Sequence, residues 1–174
     1  MVTINVSKKR LLEKTGKRPD SQLFEAMHQI KCPVDCEEDG NLVVEITGDR
    51  PDLLSIEGIA RNLNGYFGNE MGLVKRDFTN GKLEVVCESQ ALKLRPVIVG
   101  AVADGLKLTD ELVKELFEFQ EKLDLTNGRK RRKVSIGLYD MAGLKPPFYF
   151  RSLDADKTKF KPLKSGKAMS LNQI

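Results

Sequence analysis

Few residues in this chain have the chemistry to react. There is one histidine, His28, and there are three cysteines, Cys32, Cys36 and Cys87. His28, Cys32 and Cys36 stand at i, i+4 and i+8, a spacing from which a tetrahedral zinc site could begin. Pro33 breaks the helix that would align them, and no fourth ligand of the usual type lies nearby. They are read as helix-end residues and buried thiols, and no metal site is assigned. Histidine-dependent acid–base or triad chemistry would rest on His28 alone, which sits beside a helix stripe as a packing or surface residue. No phosphate loop and no dinucleotide fingerprint is present. The expected catalytic set is therefore empty.

Two polar clusters remain. Arg129, Lys130, Arg131, Arg132 and Lys133 are five consecutive cations. Such a run can track phosphates with a salt-sensitive affinity, or it can be the solvated face of a loop. Downstream, Tyr139, Phe148, Tyr149 and Phe150 could stack on a base or an aromatic amino acid. Phe148 and Phe150 share one strand face and read as core, which turns Tyr149 to the opposite face. The second cluster is the corner Thr47-Gly48-Asp49-Arg50-Pro51-Asp52. It is either a well-capped helix start, with Asp49 or Asp52 covering free N–H groups, or a binding site.

The elements that must hold these residues follow from periodicity. Val2, Ile4 and Val6 alternate as a half-buried strand, and Ser7 caps a helix over Lys8–Thr15 that Gly16 ends. A second helix runs from Pro19-Asp20-Ser21 through Leu23, Phe24, Met27 and Ile30, with Pro33 as its stop. Asp39-Gly40-Asn41 suits a tight hairpin turn before a strand over Leu42–Ile46. After the corner, Leu53, Leu54, Ile56, Ile59, Ala60, Leu63 and Phe67 recur at helical spacing, and Gly65 and Gly68 offer stops. Phe78-Thr79-Asn80-Gly81-Lys82 is a turn or a linker. Beyond it, strands are expected over Leu83–Cys87, Arg95–Leu106, Val134–Tyr139 and Phe148–Arg151. Thr109 caps a helix from Asp110 to about Leu123, with Asp110 and Glu111 at the positive end of its dipole. Residues 152–174 read mostly as loop, with a helix start at Met169-Ser170-Leu171 that nothing finishes, so the chain reads as cut inside an element. The fold class is α+β. A break near Asn80 divides a compact module at 1–80 from a second part at 83–174.

The chain has 174 residues and a formal net charge of +4, a mild balance that permits an RNA partner without demanding one. An odd set of cysteines and the lack of a long apolar run or signal-peptide pattern point to a reducing cytoplasm and no membrane partner.

The wording of the corner and helix, R-P-D-L-L-S-I-E-G-I-A-R, resembles N-R-P-D-L-x-S-x-E-G-x-A-R in the β subunit of archaeal and eukaryotic phenylalanyl-tRNA synthetase. Arg50, Pro51, Asp52, Leu53, Ser55, Glu57, Gly58, Ala60 and Arg61 fit, and Asp49 stands where that pattern usually has Asn. R-P-V-I-V-G-A-V resembles the family's R-P-Y-x-V-x-A-V, and L-x-E-F-Q-E-K-L its I-x-L-Q-E-K-L helix. G-R-K-R-R-K-V-S-I-G-L-Y-D-M-A-G-L-K-P-P-F-Y-F is similar to G-R-R-R-R-E-V-A-I-G-I-F-D-x-x-x-I-K-P-P-x-Y-Y. K-F-K-P-L at Lys159–Leu163 also fits. The matches keep their order over essentially the whole chain.

The resemblance implies an enzyme that joins phenylalanine to tRNA(Phe) with ATP and magnesium as an α2β2 tetramer. In that family the α subunit holds the synthetic site, and a domain of the β subunit hydrolyses mischarged Tyr-tRNA(Phe). Residues 1–80 would be the amino-terminal module and 83–174 the first part of the editing domain, in a mixed sheet. Family β subunits are several times longer, so this segment alone is expected neither to synthesise nor to edit, and to bind no cofactor itself. Gly137, Leu138 and Tyr149 are expected by position in the editing-pocket wall, and Arg129–Lys133 at the tRNA backbone. Asp49, Arg50 and Asp52 are expected to fix the corner and dock its helix, and the strand over Val134–Tyr139 is expected beside Phe148–Phe150. The alternatives are a free-standing tRNA-binding or assembly module without catalysis, and a structural piece that docks on the α subunit through apolar surface.

Overall fold

The computed structural model describes residues 2–81, 83–163 and 165–174; Lys82, at the expected break, lies outside them. The chain forms two compact units that interleave in sequence. The first comprises Met1–Asp77 and Leu106–Tyr139, the second Phe78–Gly105 and Asp140–Ile174.

In the first unit, β1 (Val2–Ser7) leads directly into α1 (Lys8–Thr15). Ser7 makes the junction, because its hydroxyl accepts the Arg10 N–H and so caps the helix its own strand feeds. Gly16 ends α1 at a φ of 89°. The carbonyls left over at that end are taken by side chains, Lys14 O by Asn64 and Thr15 O by Asn69. The second helix, α2, covers Asp20–Gln29. A strand that the periodicity does not reveal follows, β2 (Val34–Glu38). Its acidic, largely exposed side chains hide it, for it is an outer strand with a bulge between Val34 and Cys36. Asp39 and Gly40, both at positive φ, turn the chain into β3 (Asn41–Ile46).

β3 is the central strand of an antiparallel sheet in the order β1-β3-β2. Its register with β1 runs from Val2 opposite Ile46 to Ser7 opposite Asn41. Leu42, Val44 and Ile46 therefore share one face, and all three are buried. Helices cover that face. After a 3-10 turn at Pro51–Leu53, α3 (Ile56–Tyr66) contributes Ile56, Ile59, Ala60 and Leu63 to the same core. Ser55 is the cap of α3, accepting the Gly58 N–H at 3.2 Å; the expected caps, Asp49 and Asp52, serve elsewhere. The long helix of this unit, Asp110–Leu125, lays Phe119 and Leu123 against the core.

The second unit has shorter elements. β4 (Val85–Cys87) is followed by α4 (Ser89–Leu94), a short helix not expected from the pattern. Back in the first unit comes α5 (Asp110–Leu125), capped by the Thr109 hydroxyl on Leu112 N–H as expected. β5 (Phe148–Phe150) pairs in parallel with β4, Val85 opposite Phe148 and Cys87 opposite Phe150. β6 (Lys159–Phe160) and β7 (Met169–Ser170) form a small antiparallel pair, and a 3-10 turn over Leu171–Gln173 stands at the expected helix start.

Two expected strands are absent among the described residues. Residues 95–106 have no ladder. Val134–Tyr139 is tied instead to the end of α5: Asp124 accepts the Ile136 N–H, and Tyr139 folds its ring back to within 2.5 Å of where a Gly137 Cβ would stand. That N–H is therefore spent on a side chain, and β5 takes β4 as its neighbour rather than this segment.

Candidate functional site

The corner is built around Arg50. Its guanidinium reaches both oxygens of Asp52, Nε to Oδ1 at 3.0 Å and Nη2 to Oδ2 at 2.8 Å. This is the bidentate fork that suits arginine and carboxylate. The same guanidinium donates to the Ile30 carbonyl at 2.7 Å, at the end of α2, and to Asn62 Oδ1 at 2.9 Å, on α3. Asn62 in turn donates to Asp52 Oδ2 and to the Gly58 carbonyl. Arg50 thus ties the end of one helix to the start of another through five hydrogen-bonded groups. Hydrogen bonding to Arg50 holds the Asp52 carboxyl below the usual carboxylate range. Asp49 points elsewhere, to Lys31 at 3.5 Å on the surface. Cys32 is buried beneath the corner, and burial pushes its thiol up to about 12 although Arg50 opposes the rise. The guanidinium of Arg50 and the carboxylate of Asp52 are thereby engaged within the chain, between the end of α2 and α3.

The basic run is the other polar construction. Arg129, Lys130 and Arg131 occupy the left-handed region in succession, at φ of 49°, 57° and 63°. Non-glycine residues seldom do this, and each costs on the order of 1 kcal/mol. Local bonds hold the turn against that cost. Lys130 N–H donates to Leu125 O, Arg131 N–H to Asp124 O and Lys133 N–H to Gly128 O. Gly128 is compressed between the Asp124 and Val134 carbonyls, where a Cβ would lie 2.5 Å from each. The centre of the turn is Asp124, 2% exposed, which accepts Arg131 Nε at 2.8 Å and Ile136 N–H at 2.9 Å. Those bonds, led by the one from Arg131, keep its carboxyl below the usual range. All five cationic residues of the run are exposed. One buried anion therefore shapes a turn that presents a dense patch of positive charge. Asp124 escaped the sequence reading, since it falls just past the expected end of its helix at about Leu123, where an acidic residue gives no local sign of burial.

The other expected residues lie apart from this turn's network. Gly137 and Leu138 sit in the exposed irregular segment of the first unit. Tyr149 belongs to β5 in the second unit, 63% exposed, on the face opposite Phe148 and Phe150. His28 and Cys36 are exposed whereas Cys32 is buried, and among the described residues no three His, Cys, Asp or Glu side chains converge as metal ligands. A shallow cleft of about 490 Å³ lies against α3. Lys14, Arg61 and Arg76 line it together with Asp52, Glu57 and Glu70, a balance that selects neither anions nor cations.

No family model matches the chain. Individual proteins do. The phenylalanine–tRNA ligase beta subunit of Methanocaldococcus jannaschii is 37% identical over 180 residues, covering all of this chain and 32% of the relative. That of Sulfurisphaera tokodaii is 36% identical over 174 residues, again all of this chain and 32% of the relative. Among solved structures, an N-terminal fragment of the phenylalanyl-tRNA synthetase beta subunit from Pyrococcus horikoshii superposes with a TM-score of 0.87 at 31% identity, covering 99% of this chain and 51% of the fragment. The chain belongs with the beta subunits of phenylalanine–tRNA ligase. It spans about a third of the length of the curated relatives it matches.

The wording it shares with phenylalanine–tRNA ligase beta subunits now has a geometric meaning. In R-P-D-L-L-S-I-E-G-I-A-R, Arg50 and Asp52 form the fork, Pro51 opens the 3-10 turn and Leu53 is core. Ser55 caps α3, and Ala60 is core. Gly58 is forced, because a Cβ there would meet the Asp52 carbonyl oxygen at 1.7 Å. No helix in the described residues is long and apolar enough to cross a membrane.

Proposed function

We propose that this chain serves as an amino-terminal part of a phenylalanine–tRNA ligase beta subunit, working with an alpha subunit to charge tRNA(Phe) and to clear tyrosine attached in error. The observation that carries this reading is the match along all of the chain, in sequence and in fold, to one family alone among the relatives reported above. ATP and magnesium are assigned to the alpha subunit; this chain offers no phosphate loop for a nucleotide. The cytoplasm is the corresponding place of work.

The chemistry explains why such an enzyme divides its labour. A pocket shaped for a phenyl ring cannot strongly reject the same ring with one hydroxyl, whereas a second site that hydrogen-bonds the hydroxyl can. Hydrolysis of the aminoacyl ester then needs a positioned water and donors for the developing oxyanion. In this reading residues 83–174 contribute to the editing domain, and Tyr149 is the aromatic candidate for its pocket wall.

The contribution of this chain that can be tested directly is RNA contact by Arg129–Lys133. Arg131 has a structural duty to Asp124, so the informative change removes charge from its neighbours. Arg129→Gln together with Lys130→Gln removes two charges while keeping polar side chains, and should weaken tRNA(Phe) binding about tenfold at moderate salt. The slope of log affinity against log salt should fall by about 2. Unchanged affinity and slope would remove this turn from the RNA interface. The exposed cations also suit a second reading, a binding or assembly module without catalysis. Hydrolysis of Tyr-tRNA(Phe), compared between the 174-residue chain and a longer chain that continues it, separates them. Deacylation by the longer chain alone supports the subunit reading, its absence from both supports the binding module, and deacylation by the 174 residues would exclude a purely binding role.

A further inference from the structure

Three Asn-Gly pairs occur in the chain, at 64–65, 80–81 and 127–128. Such a pair can react with itself. Glycine has no Cβ to keep its amide nitrogen away from the preceding side chain, so that nitrogen can reach the asparagine Cγ. The approach needs a side chain free to rotate and a backbone free of regular structure. The fold treats the three pairs differently.

Asn64-Gly65 lies inside α3, where the Gly65 N–H belongs to the helical ladder. Both ends of the Asn64 side chain are held as well. Its Nδ2 donates to the Lys14 carbonyl at 3.2 Å, and its Oδ1 accepts the Asn69 side-chain amide at 3.0 Å. At Asn127-Gly128 the Gly128 N–H donates to Leu123 O at 2.9 Å, and Asn127 Oδ1 accepts the Thr126 hydroxyl at 3.1 Å. The two carbonyls that crowd Gly128 leave that peptide no room to swing. Asn80-Gly81 has none of these restraints. Residues 71–81 are exposed throughout and belong to no helix or strand. Asn-Gly is a strong hairpin signal, yet among the described residues this pair closes no hairpin, since the strand that follows, β4, pairs in parallel with β5. Among the described residues, no hydrogen bond reaches the Asn80 side chain or the Gly81 N–H.

We propose that Asn80 is a site of spontaneous modification, converting to isoaspartate and aspartate while Asn64 and Asn127 of the same chain stay intact. Hydroxide removes the Gly81 amide proton, and the nitrogen attacks Asn80 Cγ. The new C–N bond closes a succinimide ring, and the side-chain amide leaves as ammonia. Water then opens the ring. Opening at the side-chain carbonyl gives aspartate; opening at the Asn80 backbone carbonyl gives isoaspartate, whose main chain runs through the former side chain. The net change replaces an amide by a carboxylate, which puts a negative charge ahead of β4, and in isoaspartate it also lengthens the main chain by one carbon. None of this depends on the tRNA reading.

Incubating the folded 174-residue chain at mildly alkaline pH in heavy-oxygen water, then digesting it in ordinary water for peptide mass spectrometry, tests the proposal. The heavy oxygen marks only conversion that took place in the folded chain, and isoaspartyl and aspartyl peptides separate by retention. The Asn80 peptide should gain the label at least about tenfold faster than the Asn64 and Asn127 peptides, whose pairs must first open a helix or a turn. In concentrated urea the three rates should converge to within about threefold, because the restraints belong to the fold. Gly81→Ala should slow Asn80 by about tenfold, since the new methyl group shields the nitrogen. A Cβ there meets the Leu83 amide nitrogen at 3.8 Å, an ordinary contact, so this variant keeps the fold. Equal rates at the three pairs in the folded chain would overturn the proposal. A contrast that persisted in urea would also overturn it, by placing the selectivity in the local sequence. So would an unchanged rate in Gly81→Ala, which would mean that water attacks the amide directly without ring closure.

Discussion

The two units contain similar side chains and treat them differently. Between Ile4 and Leu63 a single buried cluster gathers residues from two strands and three helices. In the second unit, Ala91 is the buried apolar residue among those described. Yet the run Val97-Ile98-Val99 is as apolar as Leu42-Val43-Val44. What separates them is the length of the pairing. β3 is held by β1 over six residues and by β2 on its other edge, which fixes its faces and lets helices seat on one of them. β4 and β5 meet over three residues. Hydrophobicity supplies the driving force, but a core forms only where backbone pairing has already fixed which face is inward.

The sharpest way to break this contrast is at the joint of the ordered unit. Gly58→Ala places a methyl group against the Asp52 carbonyl, a backbone atom that cannot step aside alone. The loss should be about 4 kcal/mol or more, enough to unfold a marginal domain. Urea unfolding followed by far-UV circular dichroism measures it. A loss below about 1 kcal/mol would mean that the corner and α3 separate easily and that the fork of Arg50 is not a rigid joint.

A matched pair of truncations sharpens the contrast. Leu63→Ala empties a fully buried site and should cost about 2–5 kcal/mol. Val99→Ala removes an open side chain and should change stability of the isolated chain by less than about 0.5 kcal/mol. Equal losses in the same urea experiment would show that residues 97–103 already have a core of their own, and the difference between the units would vanish.

How much was legible follows the same division. The elements of the first unit through Leu63 declared themselves locally, by Ser7 before α1, Asp39-Gly40 before β3 and the stripe of α3. Each signal needs only its neighbours in the chain. The edge strand β2 did not, since its outward residues carry no alternation. Arg95–Leu106 and Val134–Tyr139 have the composition of strands, but a strand is a relation between two segments, and composition cannot supply the second. At the site, the cations of 129–133 are visible in the sequence. Their geometry is not, because it depends on Asp124, whose carboxylate is buried through contacts with Arg131 and Ile136. Arg50 and Asp52 were read as a corner, whereas the roles of Asn62 and of the Ile30 carbonyl required the fold.

The smallest effect concerns acid. Asp52 and Asp124 both titrate below their ordinary value because the folded chain hydrogen-bonds their charged forms. A carboxylate depressed on folding stabilises the native state fully above its unfolded pKa, near about 4. That contribution is lost as pH falls through the lower folded value, because the unfolded chain then takes up protons first. Stability should therefore stay level from neutral pH to about 5 and decline below about 4. Asp52→Asn should flatten part of the decline, and Asp124→Asn should do so while freeing the basic turn, seen as faster exchange of the Arg131 and Ile136 amides. The two contributions differ in what they hold. Asp52 steadies the joint of a core that helices already enclose, whereas Asp124 anchors a turn with little apolar support, so acid should release residues 128–136 before it loosens α3. Exchange measured at pH 3 that finds α3 opening first would reverse that order, and would put the weaker part of the first unit at its corner.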